Sequence, residues 1–268
     1  MIVDLIKAKK FTEELAKKAG KFLLKNQEKV KIKRYKDRQD IVTNIDLQAE
    51  KIIISAIEKK YPKHNINSEE RDFINKNSQY TWYVDPLDGT KEYFRQIPEY
   101  NTSFSLFYKN KPILSIVYIP YSKQLFSAAK SVGAFLNNEK IQVNNKNKLK
   151  NSIVYIQPSC FAKIKDKLFN ENFKKINGLT KRVYRLRYSP NDNNYLCFLA
   201  LGSIEAYLNF VYPSKSIQDL IPGLFIAQMA GAKITDLKGR KLEFSKPKQL
   251  YIASNTKIHD QLIKIINS

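Results

Sequence analysis

Four short segments with strand character follow one another in the first half of the chain, and they constrain the fold more than any other feature. They are rich in β-branched and aromatic residues, are separated by polar or proline-containing turns, and span 81–84, 102–108, 113–119 and 124–129. Before them, apolar residues recur at helical spacing through 3–28. A second helix, with Thr43 as its cap, stops before Pro62. The first half therefore predicts helices followed by a sheet.

The second half alternates the two kinds of signal. It predicts strands at 153–157, 204–209, 233–235 and 250–254, and helices at 163–172, 194–201, 218–229 and 258–266. A Lys- and Asn-rich break at 144–151 separates the halves. We therefore expect a layered α/β protein with an N-terminal domain at 1–150 and a C-terminal domain at 151–268.

Composition favours a globular protein, with 43% hydrophobic and 12% aromatic residues. The apolar runs are too short to cross a bilayer, and the N-terminus does not look like a secretory signal, so we expect a cytoplasmic protein without membrane contact. Cys160 and Cys197 lie far apart without a C-x-x-C partner, which argues against a zinc site or a disulfide scaffold. His64 and His259 are isolated, and we expect them at the surface.

The formal net charge of +22 is compatible with a nucleic-acid surface. Lys outnumbers Arg by 39 to 8, however, whereas nucleic-acid readers favour the planar guanidinium. We therefore interpret most of the charge as solvated lysine, which would still steer an anionic substrate inward. A non-catalytic nucleic-acid-binding protein is kept as the alternative from a different class.

The segment WYVDPLDGTKEY, residues 82–93, is the densest chemical feature. An apolar strand ends in Asp85 and Asp88, and these carboxylates with the Leu87 carbonyl offer hard oxygen ligands. Gly89 and Thr90 follow with backbone N–H groups where a helix could begin, which is a favourable place for a phosphate. The pattern predicts a metal site next to an anion site, the alternative being an acidic turn in which Asp88 only caps a helix.

The sequence lacks the residues that two common phosphatase mechanisms require. A cysteine phosphatase needs Arg six positions after its Cys, and neither cysteine has one. Haloacid-dehalogenase phosphatases place a nucleophilic Asp two residues before the Asp of the LDGT string, where this chain has Pro86. Attack by a metal-activated water remains, and it needs more acidic ligands.

Further acids stand elsewhere in the chain. The candidates are Asp46 at a helix start, Glu69 and Glu70 after a short apolar stretch, and Asp219 at the start of another helix. Taken singly, each is better explained as a helix cap or a solvated acid. Their combination favours a site.

The chain resembles the inositol monophosphatase superfamily. The resemblance rests on DIVTNID at 40–46, SEE at 68–70, WYVDPLDGT at 82–90 and QDLIPGLFIAQMAGAKITDLKG at 218–239, in matching order over nearly the full length. It implies an αβαβα five-layer sandwich and Mg²⁺-dependent, Li⁺-sensitive hydrolysis of a phosphate monoester, with two or three ions. The N-terminal domain would then carry most metal ligands, and the C-terminal domain would complete the site. A homodimer is also compatible with the resemblance.

The resemblance implies a role for each matching residue. It assigns to the metals Glu69, Asp85, the Leu87 carbonyl, Asp88 and Asp219. Thr90 with Asp46 would orient and deprotonate the attacking water, and the amides of Gly89 and Thr90 would hold the phosphate. Glu70 would align a second water. Lys36 and Asp37 match only loosely the mobile loop that helps hold a further metal in this family.

Departures from the family pattern affect the substrate pocket more than the reaction. The chain has Gln218–Pro222 where relatives have Trp-Asp and small residues, and we expect Pro222 in the first helical turn. Residues 189–194 replace a Gly-Ser or Gly-Thr pair, and Asn209 stands where inositol phosphatases have a ring-binding Glu.

The substrate hypothesis rests on Lys91–Tyr93, the sequence KEY, which is similar to the 3′(2′),5′-bisphosphate nucleotidase branch, the CysQ-type enzymes. This resemblance implies hydrolysis of the 3′-phosphate of 3′-phosphoadenosine 5′-phosphate. The alternative enzyme is a phosphatase for inositol phosphate or another small sugar phosphate.

Overall fold

The structure is a computed structural model that describes residues 3–36, 40–157, 166–189, 191–209, 216–246 and 250–268. Regular structure covers most of these residues. The helices are α1 (Leu5–Asn26), α2 (Asn44–Lys60), α3 (Thr90–Phe94), α4 (Asp166–Thr180), α5 (Asp192–Ala200), α6 (Ile217–Met229) and α7 (His259–Ile266). The first nine strands are β1 (Ile32–Tyr35), β2 (Ile41–Thr43), β3 (Asn65–Ser68), β4 (Tyr80–Asp88), β5 (Asn101–Tyr108), β6 (Lys111–Ile119), β7 (Gln124–Ala129), β8 (Gly133–Leu136) and β9 (Glu139–Ile141). The others are β10 (Ile153–Ile156), β11 (Arg185–Tyr188), β12 (Ala206–Asn209), β13 (Lys233–Thr235) and β14 (Tyr251–Ser254).

Two larger sheets and one hairpin organise these strands. The seven-stranded sheet has the order β3-β4-β5-β6-β7-β8-β9, in which only β3 and β4 are parallel. The five-stranded sheet has the order β11-β10-β12-β14-β13, with β10 parallel to both of its neighbours. Strands β1 and β2 form the hairpin. The sheets follow each other along the chain, which agrees with the predicted change near residue 150, but the division into two domains stays a prediction.

Side-chain alternation in β6 shows how the seven-stranded sheet separates two cores. Ile116 packs in the cluster that contains α1 and α2 residues, whereas Val117 packs in the cluster that contains α5 and α6 residues. The second of these clusters also includes Tyr207 and Tyr251 of the five-stranded sheet. The opposite face of that sheet packs against α4 and α7. The layers therefore run helix, sheet, helix, sheet, helix, which confirms the expected αβαβα sandwich.

The strongest periodic segments were predicted within a few residues. Helix α1 begins after Asp4, whose side chain accepts from two backbone N–H groups. Strands β3, β8, β9 and β11 were not predicted, because they are short and each lies at or next to a sheet edge. Helix α4 was predicted at 163–172 but extends to Thr180, and residues 163–165 lie outside the described residues.

None of the helices, in the part of the chain that the structure describes, has the length and apolar composition of a membrane span.

Candidate active site

The two aspartates of the predicted metal turn lie at the end of β4, where the strand carries a β-bulge. Asp85 pairs with Ser103 and Asp88 pairs with Asn101, so β4 has one residue more than β5 between these pairs. A bulge is also a place where a strand tolerates a proline, such as the one between the aspartates. The backbone N–H of Leu87 donates to Oδ1 of Asp85 at 2.9 Å. The turn therefore holds the buried Asp85 carboxylate against its own backbone.

Gly89 turns the chain from β4 into α3. Its φ of 93° lies in the left-handed region, and a Cβ on this residue would lie 2.7 Å from the carbonyl oxygen of Glu99. Glycine is therefore required here. The Gly89 carbonyl accepts from the N–H of Tyr93, so that α3 begins directly after it. The backbone N–H groups of Gly89 and Thr90 stand at this helix start, and their use for phosphate stays a prediction.

The structure brings Thr90 and Asp46 into contact, and their catalytic role stays a prediction. Its hydroxyl donates to Oδ1 of Asp46 at 2.8 Å and also lies 3.1 Å from the carbonyl oxygen of Leu87. The other oxygen of Asp46 accepts from the backbone N–H and the hydroxyl of Thr43, which completes a capping box at the start of α2. Burial, opposed by these hydrogen bonds, raises the pKa of Asp46. The capping box therefore orients the carboxylate that faces Thr90.

Glu69 and Glu70 lie just after β3, whose last residue, Ser68, pairs with Val84 in β4. Because β3 and β4 are parallel, Glu69 follows its strand beside Asp85. The ammonium of Lys36 contacts both glutamates, at 2.6 Å from Glu69 and 2.5 Å from Glu70. Lys36 was only loosely matched to the family's loop, and Asp37, matched with it, lies outside the described residues.

Glu70 lies in a network of ion pairs and hydrogen bonds whose other members were not predicted from the sequence. Arg34 in β1 contacts Glu70 at 3.1 Å. The backbone N–H of Glu70 donates to the buried Glu50 carboxylate at 3.1 Å, and Arg71 contacts the same group. Glu50 lies one helical turn after Asp46 in α2, and that spacing was the available sequence signal. Glu70 is thus held by α2 and by the β1–β2 hairpin.

Asp219 is the third residue of α6. Its backbone N–H donates to the hydroxyl of Ser216, and its carboxylate accepts from the Ser216 N–H, both at 3.3 Å. The expected position of Pro222 was wrong. Because α6 begins at Ile217, Pro222 is its sixth residue and lies beyond the first turn.

The proline leaves one helix carbonyl without its usual donor. In an α-helix, residue 222 would donate to the carbonyl of Gln218, and a proline has no N–H with which to do so. The hydroxyl of Ser103 in β5 lies 3.3 Å from that carbonyl oxygen and donates to it. A side chain of the sheet thus replaces the missing donor.

Four carboxylates act on one another electrostatically. Burial, followed by the negative charge of Asp219, raises the pKa of Glu69 to about 7. Burial, followed by the charges of Glu69, Asp88 and Asp219, raises the pKa of Asp85 well above its ordinary range. Glu69, Asp88 and Asp219 therefore lie within electrostatic range of Asp85.

Among the described residues, no group of three or more His, Cys, Asp or Glu side chains has an arrangement that could hold a metal ion as it stands. The Lys36 ammonium pairs with Glu69 at 2.6 Å. Although partial burial lowers the pKa of Lys36, attraction by Glu69 and then Glu70 raises it more, so its net pKa lies above the ordinary value.

The chemistry of the donor set fits Mg²⁺. Carboxylates and a backbone carbonyl are the hard oxygen ligands that this ion prefers. The Lys36 ammonium pairs with both Glu69 and Glu70, and this pairing indicates a place suited to a cation. The donor types therefore fit the ion, and the roles of the individual ligands stay predictions.

Two buried asparagines beside Asp88 were not predicted. Asn101 at the start of β5 and Asn193 in α5 both donate to Oδ2 of Asp88, at 2.9 and 3.0 Å. Single asparagines give no periodic or motif signal, and only the divergence of 189–194 from the family pattern pointed to this region.

The predicted substrate side contains further amides. Asn191 caps α5 by accepting from the N–H of Asn194 at 3.0 Å. Asn209, at the end of β12, is fully buried, and its amide atoms have no hydrogen-bond partner among the described residues. Both are neutral groups where the family pattern has different chemistry.

The expected surface positions of the histidines were wrong. His64 is sandwiched between Tyr61 and Tyr80 and accepts from the indole N–H of Trp82. His259 is fully buried against two hydroxyl side chains. Both are packing residues, which an isolated histidine in the sequence does not reveal.

Comparison with known proteins gives one consistent result. The model of the family described as "Inositol monophosphatase family" matches residues 4–268. Nus factor SuhB of Vibrio cholerae is 33% identical over 229 residues, which cover 84% of this chain and 83% of that protein. The fructose-1,6-bisphosphatase/inositol-1-monophosphatase of Aquifex aeolicus is 31% identical over 252 residues, covering 92% and 90%.

Solved structures agree. The extragenic suppressor protein suhB from Bartonella henselae superposes with a TM-score of 0.87 at 25% identity, covering 97% of this chain and 98% of that one. The IMPase of Thermotoga maritima gives a TM-score of 0.84 at 26% identity, covering 96% of each chain.

Proposed function

Because the chain belongs to the inositol monophosphatase family, a family of Mg²⁺-dependent phosphatases, we propose that it hydrolyses the phosphate monoester of inositol or another small sugar. The observation that carries this proposal is the grouping of acids beside the Thr90–Asp46 pair, in which burial and neighbouring carboxylates raise the pKa values of Glu69 and Asp85. No single acid in the sequence predicts metal-dependent hydrolysis of a phosphate ester. A group of acids beside a hydroxyl–carboxylate pair supports it.

The acids take the roles of metal ligands in this proposal. Mg²⁺ would be held by Glu69, Asp85, Asp88, Asp219 and the carbonyl of Leu87. When bound, the metal would lower the pKa of a water and screen the phosphate charge. Two or three ions are expected, as the family resemblance implies.

Thr90 and Asp46 would handle the proton of the attacking water. The Thr90 hydroxyl can orient the water and accept its proton while passing its own proton to Oδ1 of Asp46, which it contacts at 2.8 Å. Burial raises the pKa of Asp46 and makes it a better proton acceptor. The amides of Gly89 and Thr90 would hold the phosphate, and Glu70 would align a second water for the leaving group.

The predicted 3′(2′),5′-bisphosphate nucleotidase activity has weaker support. The relatives described above are called SuhB, inositol monophosphatase or fructose-1,6-bisphosphatase. In the KEY segment, the Tyr93 ring is buried against Tyr100, and its hydroxyl donates to the carbonyl of Leu23. Lys91 pairs with Asp40 at 2.9 Å. Tyr93 and Lys91 thus have structural contacts that do not require a nucleotide substrate. We therefore favour a sugar phosphate as the substrate.

The family resemblance places Asn209 where inositol phosphatases have a ring-binding Glu. A buried neutral amide can both donate to and accept from a hydroxyl, whereas a glutamate at this place would only accept. This difference supports another small sugar phosphate over inositol phosphate within the proposed substrate class.

Steady-state kinetics on a substrate panel tests the proposal. Phosphate release would be followed with inositol 1-phosphate, fructose 1,6-bisphosphate and 3′-phosphoadenosine 5′-phosphate, with Mg²⁺ titrated and with and without Li⁺. We expect the highest kcat/KM for one of the two sugar phosphates. A higher value for the nucleotide would restore the nucleotidase hypothesis, and no Mg²⁺-dependent release from any of the three would reject the enzyme class.

A second candidate function is nucleic-acid binding, which the net charge of +22 favours. The name Nus factor, which several relatives carry, is a further reason to test this candidate. It predicts RNA affinity that falls steeply as the salt concentration increases, measured by fluorescence anisotropy with a labelled single strand. A homodimer and a cytoplasmic location also stay predictions.

A further inference from the structure

Asp88 is held by two fully buried asparagines from different layers of the fold. Nδ2 of Asn101 lies 2.9 Å from Oδ2 of Asp88, and Nδ2 of Asn193 lies 3.0 Å from the same oxygen. Two donors that point at one carboxylate oxygen restrict the rotation of that carboxylate. Both donors are neutral amides, so they orient Asp88 without adding a positive charge that would compete with a metal ion.

Asn193 also contacts the helix that carries another proposed ligand. Its Oδ1 accepts from the backbone N–H of Gly223 at 2.8 Å, four residues after Asp219 in α6. A Cβ on residue 223 would lie 3.0 Å from both Cα and Oδ1 of Asn193 and 2.8 Å from Cβ of Leu196. Glycine is therefore needed for this close approach. One side chain thus bridges Asp88 on the sheet and α6.

The position of Asn193 is itself supported on both sides. Nδ2 of Asn101 also lies 3.2 Å from Oδ1 of Asn191, the residue that caps α5. The neighbouring Asp192 is buried and accepts from the hydroxyls of Tyr207 and Tyr251 in the five-stranded sheet. The start of α5 is therefore tied to β5 and to β12 and β14.

We propose that Asn193 is a positioning residue for the metal site, which orients Asp88 and links it to the helix that carries Asp219. The proposal rests on the proposed function, because it needs Asp88 to be a metal ligand. Partners that orient a metal ligand typically contribute about 10- to 100-fold to metal affinity. Loss of the bridge should therefore appear in Mg²⁺ binding itself, before any substrate is present.

The test compares Asn193→Leu with Asn255→Leu. Leucine keeps approximately the shape of asparagine and removes its hydrogen bonds. Asn255 is a matched control, because it is also fully buried, and its amide contacts Asn144, Lys146 and the start of α7, none of which belongs to the proposed site. Mg²⁺ dissociation constants would be measured by calorimetry without substrate. Melting temperatures in EDTA would show the structural cost of each variant.

We expect wild type and Asn255→Leu to bind Mg²⁺ alike and Asn193→Leu to bind it at least about tenfold more weakly. If Asn193→Leu does not fold, Asn193→Ser replaces it, because serine is too short to bridge Asp88 and Gly223. Unchanged Mg²⁺ affinity in the folded Asn193 variant would overturn the inference and leave the proposed function intact. Failure of the wild type to bind Mg²⁺ would overturn both.

Discussion

The hydroxyl of Thr90 donates to Oδ1 of Asp46 at 2.8 Å and joins the first residue of α3 to the first turn of α2. The two residues are 44 positions apart in the chain. Each of the two helices begins at a defined turn, one after Gly89 and the other at the Thr43 cap. The turn at Gly89 therefore positions Thr90, and the Thr43 cap positions Asp46.

Removal of the Thr90 hydroxyl should affect turnover more than metal binding. We expect Thr90→Ala to lower kcat by about a hundredfold or more, the usual contribution of a positioned proton acceptor, with little change in Mg²⁺ affinity. Thr90→Ser keeps the hydroxyl and should retain most of the activity. Steady-state phosphate release and calorimetry measure the two quantities. An Ala variant within a few fold of the wild-type kcat would show that the pair is structural only.

The raised pKa of Glu69 predicts a pH dependence of the metal-free fold. Its pKa rises from 4.5 to about 7 on folding, because of burial and then the charge of Asp219. The folded state therefore holds a proton more tightly than the unfolded chain between these values, and this contribution to stability is lost as the pH rises from 4.5 to 7. In EDTA, the melting temperature of wild type relative to Glu69→Gln should fall over this window. A difference that is constant with pH would contradict the assignment.

The same proton competes with Mg²⁺. A carboxyl group with a pKa of about 7 is mostly protonated at pH 6 and ionised at pH 8, and the metal needs the ionised form. Calorimetry should therefore show Mg²⁺ binding about tenfold weaker at pH 6 than at pH 8. Equal affinities at the two pH values would indicate that Glu69 is not a ligand.

Ser103 and Pro222 should be coupled in stability. Ser103→Ala leaves the carbonyl of Gln218 without the hydroxyl that replaces its helical donor, and should lower the free energy of unfolding by about 1 kcal/mol. In a Pro222→Ala background the backbone N–H of residue 222 can donate instead, so the same change should cost less. Urea denaturation of the four proteins measures the coupling. Equal costs in both backgrounds would show that the hydroxyl does not substitute for the missing donor.

The parts of the fold that sequence predicted are those whose residues carry the signal locally. The β-branched and aromatic residues of β4–β7 and the Thr43 helix cap require no knowledge of neighbours. β11 has two arginines in four residues and belongs to the sheet because its register with β10 buries part of Leu186. That packing comes from tertiary contact, which no local pattern contains.

The candidate site divides in the same way. Its acids were found from motifs, because their order and spacing were visible in the chain. Asn193 was not found, since its importance comes from contacts 105 positions away at Asp88 and 30 positions away at Gly223. The place of Pro222 was missed for a smaller reason, namely that α6 begins two residues before Asp219 and so moves the proline past the first turn.

The most direct measurement of the central claim is Mg²⁺-dependent release of inorganic phosphate by wild type and by Asp88→Asn. The substitution removes the charge and keeps the shape of a proposed ligand. We expect that release from a sugar phosphate requires Mg²⁺, stops with EDTA, and has a kcat/KM on the order of a thousandfold lower in Asp88→Asn. Release that continues without Mg²⁺, or an Asp88→Asn variant as active as wild type, would contradict it.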